Sequence, residues 1–320
     1  MTTKSLPIAD FHCDLLSYLA EDATRTAYDP ESRASIPLLI EGGVVLQTLA
    51  IFTKTKKGSE AAGEKQFQIF VDLPKKYPEV FGSKIKLVLS IENASSFSEE
   101  GEHLQEGLKR VNYWLKKAGK IAYISLTWNG ENRFGGGSGS KVGLKPDGEK
   151  LLEWMSGKEI AIDFSHTSDK LAHDIFNYID KRHLKILPVA SHSNFRWVSD
   201  HERNLPDAIA KEIASRGGLI GLNFVRRFLG SQGAADFLEQ LEFAQNLRVM
   251  DHLCLGADFF DDRDFPSEYD DLRPLFNPGF DTAACYPKLL DFVKEQLYPT
   301  EIEGLAHKNL TDFLCKSSET

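Results

Sequence analysis

Histidine and acidic residues stand at the ends of five short apolar runs in this 320-residue sequence. The runs are ADFHCD, IKLVLSIE, IAIDFSH, ILPVASH and LCLGAD, and they end at Asp14, Glu92, His166, His192 and Asp258. In a parallel αβ barrel the carboxyl ends of the strands converge on one rim, where catalytic groups collect. Imidazoles and carboxylates gathered there suit a borderline metal ion such as zinc. The pattern therefore predicts a metal-dependent hydrolase.

The first run also carries His12, two residues before Asp14. Side chains two apart on a strand point to the same face, here the interior of a barrel. Glu92 follows a strongly apolar stretch, where a carboxylate must be solvated, paired or coordinated because an unpaired buried charge is costly. Between two metal ions it could bridge, with one oxygen to each. Taken alone, His12 and Asp14 are typical of a coincidental polar pair, and Glu92 of an ion pair with a lysine.

His166 and His192 end the fifth and sixth runs, which would be neighbouring strands. Neighbouring parallel strands lie about 4.8 Å apart, so the two imidazoles could hold one ion. Asp258 ends the eighth run and, in a closed barrel, faces His12 and Asp14 of the first. Five other histidines sit in polar helical or loop segments and are assigned no metal role: His103, His173, His183, His201 and His307.

A carboxylate-bridged pair of metal ions suggests a mechanism of hydrolysis. A water held between them would lose a proton at neutral pH, and the hydroxide could attack a carbonyl carbon while one metal polarises its oxygen. Asp258 would hold the hydroxide, take its proton and deliver it to the leaving nitrogen. Glu92 and Asp258 are therefore the predicted catalytic residues.

Eight apolar runs and the segments between them indicate the fold. The runs cover residues 8–14, 44–52, 85–92, 121–128, 160–166, 186–192, 219–225 and 253–259, and amphipathic helices are predicted at 102–117, 147–155, 169–179 and 206–215. Continuous apolar runs are typical of strands covered on both faces. Eight alternating strands and helices predict a closed α/β, (β/α)8 TIM-type barrel, with residues 1–320 forming one domain. A doubly wound open sheet is the alternative, but it would gather ligands near a single switch point.

Two insertions follow predicted strands onto the same rim. Residues 129–145, rich in Gly and Ser, predict either a mobile loop over the site or a flexible surface connection, about equally. Residues 260–278 are acidic and aromatic.

Composition restricts the partners and the location. The chain is 42% apolar and 27% charged, and its net charge of −9 disfavours a nucleic-acid backbone or an anionic membrane as the partner. No run reaches the roughly 18 apolar residues of a spanning helix, and neither end resembles a secretory signal or a membrane anchor. These features predict a soluble, cytoplasmic protein. Cys13 and Cys254 lie inside predicted strands, which favours buried free thiols over disulfides.

With these residues in view, the chain resembles the membrane (renal-type) dipeptidases, binuclear zinc peptidases of the amidohydrolase-like barrel group. The resemblance runs nearly end to end, through FHCD, IE, SLTWN, GLKPDG, DFSHTS, ASHSNFR, RNLPD, LNF and GADF, and is strongest over residues 163–207. It implies two Zn²⁺ ions per chain, with His12 and Asp14 on one, His166 and His192 on the other, and Glu92 on both. It further implies that Asp258 handles the proton, that Arg203 grips the C-terminal carboxylate of a small dipeptide, and that the chain could form a homodimer.

The sequence departs from the family's pattern in the substrate pocket. Trp128 stands where mammalian members carry a substrate-contacting histidine, and an indole donates one hydrogen bond but carries no positive charge. We expect Trp128 to bind the substrate. Its presence leaves open another small amide, lactam or ester as substrate, and a non-catalytic metal-binding homologue is a further alternative. A carboxylated-lysine bridge is disfavoured because no lysine ends the fourth run.

Overall fold

Eight parallel strands form a closed barrel in the computed structural model, which describes residues 6–263 and 272–316. The strands are β1 (Ile8–Cys13), β2 (Val44–Phe52), β3 (Lys86–Glu92), β4 (Ile121–Ser125), β5 (Ala161–Asp163), β6 (Pro188–Ala190), β7 (Leu219–Leu222) and β8 (Leu253–Leu255). They pair in chain order, and Asp10 of β1 lies opposite Leu255 of β8 to complete the ring. The predicted (β/α)8 fold class is confirmed, and the open doubly wound sheet is excluded.

Helices alternate with the strands around the outside of the barrel. They are α1 (Leu15–Glu21), α2 (Ile36–Glu41), α3 (Ser59–Lys76), α4 (Leu104–Ala118), α5 (Pro146–Met155), α6 (Asp169–Arg182), α7 (Asp207–Ser215), α8 (Arg226–Leu229), α9 (Ala234–Leu247), α10 (Tyr286–Val293), α11 (Pro299–Glu303) and α12 (Asn309–Lys316). The four helices predicted from the sequence correspond to α4 to α7, and Ser168 caps α6 by accepting the Leu171 N–H at 3.0 Å.

The barrel interior is filled by one buried cluster that draws a side chain from every strand. Phe11, Leu46, Val88 and Tyr123 belong to it, and Phe313 of α12 packs against Phe11 with ring centroids 6.2 Å apart. Most of these strand residues come from the first half of their strands, so α12 covers the amino end of the barrel. The opposite, carboxyl end is left for polar side chains.

The strands end earlier than the sequence predicts. His166, His192 and Asp258 lie two or three residues beyond the last residues of β5, β6 and β8, so their assignment to strand ends was wrong in detail. The chain turns sharply at two of these positions, because His166 and Asp258 have φ angles of 66° and 61°. Left-handed backbone at residues other than glycine is rare and clusters at functional sites.

The Gly- and Ser-rich segment 129–145 packs into the barrel rim, contrary to the two predicted forms of a flexible loop. Phe134 is fully buried, and the Ser138 N–H donates to the carbonyl oxygen of His166 at 2.8 Å. A Cβ atom on Gly137 would lie 1.7 Å from the carbonyl oxygen of Trp128. The glycine therefore permits a close approach of two backbone segments rather than flexibility.

Other predictions are answered in part. Residues 264–271 of the second insertion lie outside the described residues, while Asp262 accepts a hydrogen bond from Arg33 Nη2 at 2.9 Å. Cys13 and Cys254 are buried free thiols, as predicted. Within residues 6–263 and 272–316, every helix is too short or too polar to cross a membrane.

We predict that Gly137→Ala destabilises the fold, because the added methyl group overlaps a backbone carbonyl that has no room to move. Overpacking of this kind costs about 1–3 kcal/mol, measurable by equilibrium urea denaturation. Gly130→Ala is the matched control in the same segment, since a Cβ there has no neighbour within 4 Å among the described residues. Equal stability of the two variants would show that the segment is loose after all.

Candidate metal centre

Glu92 lies at the centre of a cluster of buried polar side chains at the carboxyl end of the barrel. Its Oε2 atom is 3.2 Å from His12 Nε2, and its Oε1 atom is 2.9 Å from His166 Nε2. The two oxygens of one carboxylate therefore face two different imidazoles. His192 completes the group, with its ring centroid 3.9 Å from that of His12 and 4.9 Å from that of His166.

Six buried residues form three overlapping groups of possible metal ligands. Within each group, the ligand atoms all lie within 4.8 Å of one another. The groups are His12, Asp14 and Glu92; Glu92, His166 and His192; and His12, His192 and Asp258. The structure thus brings together all six predicted histidine and carboxylate residues. Two of the groups share Glu92, which is the arrangement that two neighbouring ions with a common carboxylate require.

The hydrogen bonds of His12 and His166 leave their Nε2 atoms free for a metal ion. His166 Nδ1 lies 2.7 Å from Asn129 Oδ1, an amide oxygen that only accepts, so Nδ1 carries the proton. His12 Nδ1 lies 2.6 Å from the hydroxyl of Tyr123, which in turn donates to the Phe11 carbonyl at 3.3 Å. An imidazole fixed in this way presents its Nε2 lone pair to the cluster.

Local irregularity of the first strand contributes to the position of His12. The pairing of β1 with β2 shifts register between Asp10 and Cys13, and a bulge of this kind re-aims the side chains beside it. Asp10 joins this part of β1 to the segment after β8, since its Oδ1 atom accepts the N–H of His12 at 2.8 Å and its Oδ2 atom accepts that of Ala257 at 3.1 Å.

Several ligand atoms in the cluster lack a partner. His12 Nε2, His192 Nε2 and Asp14 Oδ1 are buried and have no hydrogen-bond partner among the described residues. A buried polar atom left unpaired is costly, and here three belong to one cluster, in which His12 is grouped with Asp14 on one side and with His192 on the other. Divalent cations bound in the cluster would satisfy these atoms, and a set of imidazole nitrogens and carboxylate oxygens suits zinc and similar metals. The residues therefore fit the metal ions that the sequence implies.

Burial sets the protonation of the cluster in the absence of a cation. It raises the pKa of Glu92 to about 8 and that of Asp258 to about 7, and it raises the pKa of Asp14 well above its usual value. Burial also lowers the pKa values of His166 and His192 well below 6.5. Neutral imidazoles are the form that binds a metal ion. A bound cation would also favour ionisation of the crowded carboxyl groups, because its positive charge stabilises the carboxylates.

Asp258 has one oxygen fixed and one facing the cluster. Asn223 Nδ2 donates to Asp258 Oδ2 at 2.9 Å and to the His192 carbonyl oxygen at 3.1 Å. The other oxygen, Oδ1, lies 3.5 Å from His12 Nε2. Sequence reasoning assigned no role to Asn223, although it directly follows β7, and the strand-end rule that located the other residues would have identified it.

Arg203 brings a buried positive charge to the same rim. It is only 5% exposed, its Nη2 donates to the His192 carbonyl oxygen at 3.3 Å, and its Nη1 donates to Ser193 Oγ at 3.4 Å. The guanidinium carbon lies 5.2 Å from the ring centroid of Phe228. Its Nε atom has no partner among the described residues, so a donor remains available.

Trp128 forms an aromatic wall beside His166. The indole is half-buried, with its ring centroid 6.1 Å from the His166 ring and 5.3 Å from the Phe52 ring. Lys54 Nζ lies 5.8 Å from the indole centroid, within the range of a cation–π contact. The structure therefore places Trp128 next to one of the predicted metal ligands.

Fold and site together define the class of protein. A closed αβ barrel whose carboxyl-end rim holds three imidazoles and three carboxylates is a metal-binding barrel of the hydrolase type. Residues 2–314 match the family model of the membrane dipeptidases, peptidase family M19. The chain belongs to this family and is a metallo-dipeptidase, which confirms the resemblance inferred from its motifs.

Solved structures of similar fold agree in architecture. A metallopeptidase from Rhodobacter sphaeroides, liganded with a phosphinate mimic of the dipeptide L-Ala-D-Ala, has a TM-score of 0.77 and 19% identity, covering 98% of this chain and 100% of its own. The probable dipeptidase PvdM from Pseudomonas aeruginosa has a TM-score of 0.75 and 15% identity, covering 99% of this chain and 96% of its own. At these identities the likeness shows the fold.

Curated relatives align over part of the chain. An uncharacterized protein from the pqqA 5′ region of Klebsiella pneumoniae is 30% identical over 207 residues, which cover 60% of this chain and 70% of the relative. An uncharacterized dipeptidase of Schizosaccharomyces pombe is 26% identical over 203 residues, which cover 59% of this chain and 45% of the relative.

The raised carboxyl pKa values predict how the metal-free protein responds to pH. Glu92 keeps its proton to about pH 8 in the fold but has a pKa of 4.5 in the unfolded chain, and Asp258 behaves alike with about 7 against 3.8. Folding then binds protons, so the free energy of unfolding falls as pH rises from 6.5 to 8. His166 and His192 oppose this trend only in the lower part of the window, where they are partly protonated in the unfolded chain and neutral in the fold, and their effect has faded by about pH 7.5.

After metal removal with a chelator, we expect the free energy of unfolding of Glu92→Gln to fall less steeply with pH than that of the wild type. Each proton bound on folding contributes up to about 1.4 kcal/mol per pH unit to this slope. Thermal unfolding at several pH values measures the slope. Glu106→Gln on the exposed face of α4 is the control and should leave the slope unchanged. Equal slopes for Glu92→Gln and the wild type would refute the raised pKa of Glu92.

Proposed function

We propose that this protein is a binuclear zinc-dependent dipeptidase that hydrolyses small dipeptides with a free C-terminal carboxylate. The observation that carries the proposal is that three buried ligand atoms of the cluster, His12 Nε2, Asp14 Oδ1 and His192 Nε2, have no hydrogen-bond partner among the described residues. Family membership supplies the reaction class, and the cluster supplies the residues that would perform it.

Two zinc positions share Glu92 in this proposal. His12 and Asp14 would hold one ion, and His166 and His192 the other. The support is geometric, because Glu92 directs Oε2 towards His12 and Oε1 towards His166. Zinc fits the mixed nitrogen and oxygen donors. Bound ions would supply an acidified water and a Lewis acid for the scissile carbonyl.

Asp258 would move the proton. Asn223 holds its Oδ2 atom by a 2.9 Å hydrogen bond, so Oδ1 is the atom free to accept a proton from the attacking water. The same oxygen would pass that proton to the leaving nitrogen. Because Oδ1 lies 3.5 Å from His12 Nε2, the transfer would take place directly beside the first metal position.

Arg203 and Trp128 would orient the substrate. A guanidinium binds a carboxylate through two parallel hydrogen bonds, and burial of Arg203 removes competing water. Its contact with the His192 carbonyl oxygen supports this role, because it would put Arg203 beside the second proposed metal position. Trp128 would form an apolar wall for the substrate's side chain or backbone, with Phe52 behind it.

A second candidate keeps the metal centre and changes the substrate. Trp128, backed by Phe52 and approached by Lys54, offers a flat apolar surface that would also accept another small amide, a lactam or an ester.

Free thiols, including the buried Cys13 and Cys254, support the predicted cytoplasmic location, since thiols stay reduced there. Homodimer formation remains a prediction.

We expect the purified protein to hold about two zinc equivalents and to cleave dipeptides, and chelation to abolish cleavage until zinc is restored. Elemental analysis gives the stoichiometry, and a panel of dipeptides, N-acyl amino acids, lactams and esters gives the substrate class. Two zinc equivalents with cleavage of only the other amides or esters would favour the second candidate. Absence of zinc binding, or cleavage that survives full chelation, would refute the proposal.

We also predict that Arg203→Ala raises KM for dipeptides about 10- to 100-fold with a smaller effect on kcat, because a charge-assisted contact to the substrate is lost. Arg216→Ala is the matched control. It removes the same charge from a surface pair with Asp180 at the opposite end of α7 and should leave KM unchanged. An unchanged KM in Arg203→Ala would show that the carboxylate binds elsewhere.

A further inference from the structure

Asp163, the last residue of β5, accepts four hydrogen bonds in the barrel wall. It is completely buried, and its Oδ1 atom accepts the backbone N–H groups of Ser165 at 3.1 Å and Ser191 at 2.8 Å. Its Oδ2 atom accepts the hydroxyls of Ser125 at 2.6 Å and Ser191 at 2.8 Å. One oxygen is thus held by backbone and the other by side chains.

The Ser191 hydroxyl connects this carboxylate to His192. Its single proton goes to Asp163 Oδ2 at 2.8 Å rather than to the Ser165 hydroxyl at 3.4 Å. The Ser191 oxygen then has only lone pairs to offer His192 Nδ1, which lies 2.8 Å away. His192 Nδ1 must donate there, so its Nε2 is unprotonated and directed into the metal centre.

A hydroxyl fixes an imidazole only when a further acceptor holds the hydroxyl's own proton, as the Phe11 carbonyl oxygen does for Tyr123 beside His12. Without such an acceptor a hydroxyl donates and accepts equally well, so Ser191 alone would allow either tautomer of His192. The amide oxygen of Asn129 has no such freedom, and it fixes His166 directly. For His192, the direction of the hydrogen bond comes from the carboxylate one step further away.

We propose that Asp163 is a positioning residue which, through Ser191, holds His192 in the tautomer that can bind a metal ion. The inference rests on the proposed function only in taking His192 as a metal ligand. Partners that fix a ligand imidazole contribute about 10- to 100-fold to metal affinity. Asp163 would therefore set the affinity of the position formed by Glu92, His166 and His192.

Asp163→Asn reverses the chain of hydrogen bonds. The two backbone N–H groups can only donate, so they retain the amide oxygen of the new side chain and direct its NH₂ group towards Ser125 and Ser191. Ser191 would then accept from the amide and donate to His192 Nδ1. The proton of His192 would move to Nε2, where it blocks metal binding.

The first readout is metal binding by the full-length protein. After dialysis against a buffer whose free zinc is only just high enough to saturate the wild type, we expect about two zinc equivalents in the wild type and about one in Asp163→Asn. Ser125→Ala is the matched control, because it removes a donor to the same oxygen outside the path to His192. It should retain two equivalents, and an Asp163→Asn protein that does so would overturn the proposal.

The second readout is the tautomer itself, measured by imidazole ¹⁵N NMR on the full-length metal-free protein. We expect His192 to be protonated at Nδ1 in the wild type and at Nε2 in Asp163→Asn, with His166 unchanged. Protonation at Nδ1 in both proteins would overturn the proposal. A purely structural role for Asp163 would disturb all three imidazoles instead of switching one, and that result would overturn it too.

Ser191→Ala keeps the test possible if Asp163→Asn does not fold. It removes the connecting hydroxyl, so His192 loses its bias and zinc affinity at that position should fall about 10-fold or more. Wild-type affinity in Ser191→Ala would contradict the proposal. Neither readout uses peptide hydrolysis, so a wild-type protein that binds two zinc ions but leaves dipeptides intact would refute the proposed function alone.

Discussion

The burial of three carboxyl groups close together is the constraint on which the carboxyl end of this barrel depends. Asp14, Glu92 and Asp258 are all buried, and the nearby positive charge of Arg203 only partly opposes the rise in the pKa values of Glu92 and Asp258 that burial causes. Carboxylates in such a place are costly without a counter-charge, and the cost is greatest where two of them share one space. The fold keeps them there, which explains the raised pKa values, and divalent cations between them would supply the counter-charge.

The polar network around the centre has the complementary task of keeping the ligand atoms free. Asn129, Tyr123 and Ser191 each occupy the Nδ1 side of one imidazole, so that the Nε2 atoms converge. Tyr123 and Asn129 belong to β4 and to the segment after it, not to the strands that lead to the imidazoles they fix. Ser191 is the exception, because it directly follows β6 and precedes His192. A metal centre of this kind is therefore a property of the whole rim, and a change one hydrogen bond away acts on the ligand itself.

The sequence predicted the barrel and a cluster of the six histidine and carboxylate residues at its rim, because both depend on short-range pattern. Apolar runs mark the strands, and polar residues at their ends mark the rim. It missed the contacts of Asp163 and Asn223, which depend on the register between neighbouring strands, and local pattern does not encode that register. It also extended the strands through His166, since an apolar run continues where the backbone has already turned. Gly137 misled for a similar reason, because close approach and flexibility both select glycine.

X-ray diffraction at the zinc absorption edge, from crystals of the full-length protein grown with zinc, tests the central claim most directly. The account predicts two anomalous peaks about 3.5–4 Å apart. One would lie beside His12 and Asp14, the other beside His166 and His192, with Glu92 between them. A single peak, or zinc bound away from these residues, would contradict the binuclear centre.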